Sequence, residues 1–261
     1  MASRSPNTER SSWLTHKEYV AALREQAVRF GTVLAAGPTD APVPTCPGWT
    51  ALDLVQHVAQ VYDHKTAVLR AAGEAVPGGK SAPAGESLPQ ALRRHDAVLA
   101  DLADLLTELD PQAPAWTWME GAGESTVGAW ARRMVHEAFI HRVDAELTAG
   151  VATSPVEEAV AIDGVNEMLT WMAGDPDLVA EDESAGSGTV VLEYGSGAWL
   201  VDVGDGRHLV TATDTGTPAD AQLAASAVAL DLLMWGRPSP ASWPGGAAVD
   251  RLQARIAKAV D

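Results

Sequence analysis

Cysteine is nearly missing from this 261-residue chain: Cys46 stands alone, so no internal disulfide can form and no cysteine-rich zinc module can be built. A reducing compartment fits, and the cytoplasm is the expected location. Long apolar runs are also missing. No stretch approaches the ~18 consecutive apolar residues of a membrane-spanning helix, and the first residues, MASRSPNTERSS, are polar with no apolar signal core. Basic residues are scarce, 18 Lys and Arg against 35 Asp and Glu, and the resulting charge of −17 disfavours nucleic acid and anionic lipid as partners. The deficit is steeper in residues 151–261, with 5 basic against 17 acidic residues, than in residues 1–150, with 13 against 18. The two basic pairs, Arg93-Arg94 and Arg132-Arg133, lie within helical patterns and read as solvated helix faces. Phenylalanine is rare as well, two against nine tryptophans, so Trp must share ordinary core duty.

What is present is helical periodicity. A capping box, Thr15 to Glu18, opens a helix running to about Ala36. After the proline-rich PTDAPVPTCPGW, Thr50 and Asp53 start a second helix that keeps Leu54, Val58, Val61 and Tyr62 in phase. A third helix spans Leu88 to Leu109 and a fourth about Val127 to Ala149, closed by Gly150. Four long helices with long connections predict a four-helix bundle over residues 1–150.

The pattern then changes. Ser154-Pro155 predicts one more helix through Met172, and three β-rich runs follow, TVVLEY, AWLVDV and HLVTAT, separated by hairpin signals. Thr217-Pro218 then predicts a helix over ADAQLAASAVALDLLMWG, and a last amphipathic helix ends the chain. Residues 151–261 therefore read as a small α+β domain with an antiparallel sheet, making the whole chain α+β. Gly79-Lys80-Ser81 resembles the tail of a phosphate-binding loop, but Glu74 stands where that loop needs glycine and no strand precedes it. Gly195-Ser196-Gly197 lies between strands, not between strand and helix, so no dinucleotide fingerprint is present.

The densest chemistry is HEAFIHRVDAE, residues 136–146. Glu137 and His141 stand four apart, on one helical face and beside the apolar stripe of Met134, Ala138 and Ala145. An unpaired carboxylate there is costly, so a counter-charge or a metal must answer it. His136 is turned aside by about 140° at ~100° per residue, which rules out the HExxH geometry of zinc proteases and leaves it solvated or hydrogen-bonded. Glu146 is expected to face water. A third ligand must come from another helix: His57, in phase with the second helix's inward stripe, is the first candidate, with His64 and His95 in reserve.

The segments CPGWTALDLVQHVAQVYDH (46–64) and RMVHEAFIHRVDAELTAG (133–150) resemble the mycothiol-dependent maleylpyruvate isomerase family, within the wider DinB-like metal-binding bundles. ASAVALDLLMWGRP (225–238) resembles that family's sterol-carrier-like C-terminal domain. The resemblance implies a divalent metal, typically Zn2+, held by His57, Glu137 and His141, with an open position for the thiol cofactor mycothiol. A thiolate formed there adds to an activated cis double bond and leaves after rotation, as in the isomerase, or the adduct is released, as in an S-transferase. Partners are then a small thiol and an electrophile, and a monomer is expected. Asp144 stands where it can orient His141 or pair with an arginine. Arg237, ending the WGR motif, is a candidate to bind a carboxylate of thiol or substrate, with a helix C-terminal cation as the alternative. Trp116 and Trp118 precede the fourth helix and are candidates to wall the pocket, Trp118 on the cofactor side. Cys46 reads as a small buried hydrophobe. Two other readings remain open: a metal-dependent lyase, hydrolase or isomerase that uses metal-bound water, and a non-catalytic ligand-binding protein.

Overall fold

A computed structural model describes residues 14–76, 78–118, 125–182, 184, 186–195 and 197–260. These fall into two compact units that part between Pro155 and Val156.

The first unit is a bundle of α1 (His16–Leu34), α2 (Ala51–Arg70), α3 (Leu88–Glu108) and α4 (Val127–Thr148). The Thr15–Glu18 box caps α1, and Thr50 with Asp53 caps α2, each side chain satisfying a backbone N–H that the helix cannot. Principal contacts run between α1 and α4 and between α2 and α3, with α2 also meeting α4. The link before α2 is a tight turn. Trp49 N–H donates to the Cys46 carbonyl at 3.0 Å, with Pro47 and Gly48 between them and Gly48 at φ 85°. Proline at the first central position and a positive-φ glycine at the second are what a type II turn requires. CPGW is thereby a rigid corner that delivers Trp49 to the start of α2.

Helix α4 departs from the amphipathic rule. It is buried round nearly its whole circumference, charged residues included. Arg132 and Arg133, expected in solvent, are both buried. So is Glu146, expected to face water: its carboxylate accepts from Arg142 Nη1 at 2.7 Å, Arg29 Nε at 2.9 Å and the Ser154 hydroxyl at 2.6 Å. Ser154, read as a helix cap, is spent on this carboxylate, and the next helix starts after Glu157. His136 is likewise buried, so the solvated option for it is closed.

The second unit comprises α5 (Glu158–Glu167), a π-helical turn (Met168–Met172) that continues it, α6 (Pro176–Ala180), β1 (Gly188–Tyr194), β2 (Gly197–Gly204), β3 (Arg207–Thr213), β4 (Ala221–Ala224), α7 (Ala227–Met234) and α8 (Ala247–Val260). The three expected strands form the antiparallel meander β1-β2-β3. The stretch expected as one helix from Pro218 onward is divided. Ala221–Ala224 pairs in parallel with β1, giving a mixed sheet of order β3-β2-β1-β4, and the helix begins only at the Ser226 cap. The free edge of β1 offers backbone groups that must be bonded, and four residues of AQLA satisfy them with Leu223 turned inward. Opposite β4, buried Arg255 donates to the Asp182 carboxylate and to the Gly204 and Arg207 carbonyls.

Among the described residues no helix is long and apolar enough to cross a membrane.

Candidate metal centre

Three side chains from two helices converge in the bundle. His57 projects from α2, and Glu137 and His141 from α4, with their ligand atoms all within 4.8 Å of one another. Glu137 Oε1 lies 3.4 Å from His57 Nε2 and 3.2 Å from His141 Nε2. The two imidazole rings stand edge to face, 5.0 Å between centroids. Ligands held about 2.1 Å from a tetrahedral cation stand about 3.4 Å apart, and both separations from Glu137 Oε1 to the histidines are of that size. One carboxylate oxygen with two imidazole nitrogens is also a donor chemistry that suits zinc and its first-row neighbours.

Each ligand is fixed from behind. The second oxygen of Glu137, Oε2, accepts from Arg133 Nη2 at 2.7 Å, which leaves Oε1 for the histidines. His141 Nδ1 lies 2.9 Å from Asp144 Oδ2, so Asp144 holds a proton on that nitrogen and Nε2 is turned toward Glu137. Asp144 is itself fully buried and accepts from the Thr45 hydroxyl at 2.5 Å and the Cys46 thiol at 3.8 Å. The CPGW corner therefore braces α4 through Asp144 and, through Trp49, packs a tilted ring against His57 at 4.9 Å between centroids. Cys46 is only half-buried and points its sulfur at a carboxylate, a polar post and not the apolar one expected.

The electrostatics follow from this packing. Burial alone would raise the Glu137 carboxyl, but hydrogen bonds from His141 and His57 and the charge of Arg133 hold it well below the usual carboxylate range. Burial would likewise lower His141; the Asp144 and Glu137 carboxylates outweigh it and bring it up to about 9. A cation placed among these groups meets a formed carboxylate and displaces a proton from His141.

The other expected residues are distributed as follows. His64 stays on α2 beside Lys65, and His95 is fully buried between the rings of Phe30 and Tyr62, so neither reserve histidine belongs to the cluster. Trp118 is partly exposed and packs on Trp130, 5.2 Å between centroids, while Trp116 offers its carbonyl to Trp130 Nε1. Arg237 belongs to the second unit, just past α7, where its guanidinium donates to the Trp235 carbonyl at 2.6 Å. Sequence reasoning passed over Arg133, whose i,i+4 spacing to Glu137 was readable, and Lys65, which continues the inward phase of Tyr62. It also passed over Thr45, for which no local signal exists.

Lys65 is buried between two indoles. Its Nζ lies 4.4 Å from the Trp130 ring centroid and 4.8 Å from that of Trp118. Burial draws its ammonium down to about 8; Glu137 opposes this and Arg133 adds to it.

A His/Glu/His cluster projected inward from two helices, joined in one chain to a small α+β unit, defines the class: a four-helix bundle with a candidate metal centre and an appended α+β domain. Residues 20–146 match the family model described as the mycothiol maleylpyruvate isomerase N-terminal domain. A crystal structure of the mycothiol-dependent maleylpyruvate isomerase is similar to it, with TM-score 0.61 and 14% sequence identity over 87% of this chain and 92% of that one. A histidine-to-alanine mutant of the mycothiol-dependent maleylpyruvate isomerase aligns with TM-score 0.58, again at 14% identity, over 84% of this chain and 88% of that one. At this identity the likeness establishes a shared fold across both units. No curated protein matches the chain.

Proposed function

We propose that this protein is a divalent-metal-dependent enzyme that uses a mycothiol-type thiol to act on a small electrophile, as an isomerase of the maleylpyruvate type. The observation that carries the reading is the His57–Glu137–His141 cluster, spaced for a cation and made of three protein ligands, the number that leaves a coordination position for a reactant. When bound, the cation, read as Zn2+, supplies the charge that favours the deprotonated form of a thiol. The chain's own residues hold the arrangement: Asp144 keeps the His141 proton on Nδ1, Arg133 occupies the far oxygen of Glu137, and Trp49 supports the His57 ring. A protein with one cysteine, itself turned toward Asp144, needs thiol from outside for thiol chemistry. Arg237 and Trp118 are assigned to thiol or substrate binding, and Asp144 to orienting a ligand.

Elemental analysis joined to thermal-shift titration tests the reading. Purified protein should hold one equivalent of metal, His57→Ala should lose most of it, and mycothiol should raise the melting temperature of the loaded protein, because a ligand of the native state stabilises it. Absence of stoichiometric metal, or no shift at saturating mycothiol, would refute it. Product analysis then separates the isomerase, which returns free thiol, from an S-transferase, which releases the adduct.

A further inference from the structure

The segment between α1 and α2 is tied down at more points than a connection needs. The Val43 N–H donates to the Trp49 carbonyl at 2.9 Å, the Cys46 N–H to the Val43 carbonyl at 3.2 Å and the Ala51 N–H to the Ala41 carbonyl at 2.8 Å, while Pro42 and Thr50 form an antiparallel bridge. With the turn at Pro47-Gly48, these bonds close residues 41–51 into a loop held by its own backbone. From that loop side chains reach both ligand-bearing helices. Trp49 lies against the His57 ring of α2, and Thr45 and Cys46 meet the Asp144 carboxylate of α4. The half-buried Thr45 donates its hydroxyl to Asp144 Oδ1 at 2.5 Å, the length of a hydrogen bond to a charged oxygen. Asp144 Oδ2 faces His141 Nδ1 at 2.9 Å and the Cys46 thiol at 3.8 Å. A thiol is a weak donor, so of these two loop residues Thr45 supplies the stronger restraint. The last torsion of an aspartate is broad and has little preference of its own; its hydrogen bonds decide which oxygen meets a neighbour and in what plane.

We propose that Thr45 is a positioning residue for the candidate metal centre: its hydroxyl fixes the plane of the Asp144 carboxylate and, through it, the direction in which His141 presents Nε2 to a cation. The inference rests on the metal reading of the cluster and adds to it a residue from a third segment, outside both helices that carry the ligands. The bonds that close the loop are backbone bonds, so loss of the hydroxyl leaves them in place and frees the carboxylate plane. Loss of a carboxylate that orients a ligand directly lowers metal affinity by about 10- to 100-fold, and a residue that acts through such a carboxylate belongs at the lower end of that range.

Two measurements on full-length wild type, Thr45→Val and Thr45→Ser test the proposal. In competition against a chelator of known affinity, Thr45→Val should bind zinc about tenfold more weakly, while Thr45→Ser, which keeps the hydroxyl, should stay within about twofold of wild type. In imidazole NMR of the metal-free proteins, the His141 Nδ1 proton should exchange slowly with solvent in wild type and Thr45→Ser and at least about tenfold faster in Thr45→Val. Zinc affinity and proton exchange that both ignore Thr45→Val overturn the proposal, because the hydroxyl is then dispensable. A serine variant as weak as the valine variant also overturns it, because Thr45 then acts by packing alone. Should Thr45→Val fail to fold, Thr45→Ala takes its place under the same criteria. A chain that takes up no zinc, yet whose His141 proton is protected only when residue 45 carries a hydroxyl, removes the metal reading and keeps the role of Thr45 toward His141. Zinc uptake that is equal in wild type and Thr45→Val does the reverse.

Discussion

Metal affinity at the His57–Glu137–His141 cluster should depend steeply on pH, and the structure gives the size of the effect. In the metal-free protein Asp144 and Glu137 hold His141 up to about 9, so at pH 7 only about one site in a hundred has this imidazole neutral. A metal must displace that proton, and apparent affinity should rise about tenfold per pH unit, roughly 100-fold between pH 7 and pH 9. Asp144→Asn removes one of the two carboxylates that hold the proton. The rise should then finish at lower pH, while affinity at pH 9 falls by about 10- to 100-fold because the ligand loses its orienting carboxylate. Competition against a chelator of known affinity, at half-unit steps of pH, measures both curves. A flat wild-type profile between pH 7 and pH 9, or a mutant curve parallel to it, would refute the reasoning. Stability of the metal-free form follows the same group with the sign of a raised pKa. The contribution is complete below about 6.5, the unfolded value, and is lost as pH climbs through about 9.

Three further outcomes follow from the packing. Glu146→Ala strips a buried carboxylate from Arg142, which is itself buried, and should cost about 3 kcal/mol or more, read as a lower urea midpoint for the bundle; an unchanged midpoint would mean that solvent reaches Arg142. His208 is held at about 4 by burial, against the pull of the Leu169 carbonyl and with help from Arg255. Its neutral form is the one that the second unit accommodates, so stability should be full above about 6.5 and decline as pH falls toward 4, by at most about 3 kcal/mol. Acid titration followed by circular dichroism should show this decline in wild type and not in His208→Gln. Gly164→Ala would set a methyl 2.4 Å from Asp231 Oδ2 where α5 meets α7 and should destabilise the second unit by about 1–3 kcal/mol, visible in thermal denaturation; a neutral result would show that Asp231 moves freely.

Much of this architecture was legible because it is local. Capping boxes at Thr15 and Thr50, the spacing of Leu54, Val58 and Val61, and the Gly195 and Gly206 turns each declare their element within a few residues. The pairing of Glu137 with His141 is of the same kind, since four residues along a helix place two side chains on one face. What failed was inference from residue type to exposure. Arg132, Arg133 and Glu146 are charged and were read as solvated, yet α4 is enclosed and its charges meet one another or Arg29 and Ser154. Strand β4 was read as helix because alanine favours helix intrinsically, and only the open edge of β1 reverses that preference.

The sequence by itself determined the helices, the hairpins, the charge imbalance and two of the three clustered ligand atoms, since each follows from spacing along one element. Tertiary structure decided which of three inward histidines joins that pair, selecting His57 over His64 and His95, because the choice depends on how α2 lies against α4. It also decided that the CPGW corner reaches Asp144 from nearly a hundred residues away and that Lys65 is buried between the indoles of Trp118 and Trp130. Such contacts are set by packing between distant segments, and no local period records them.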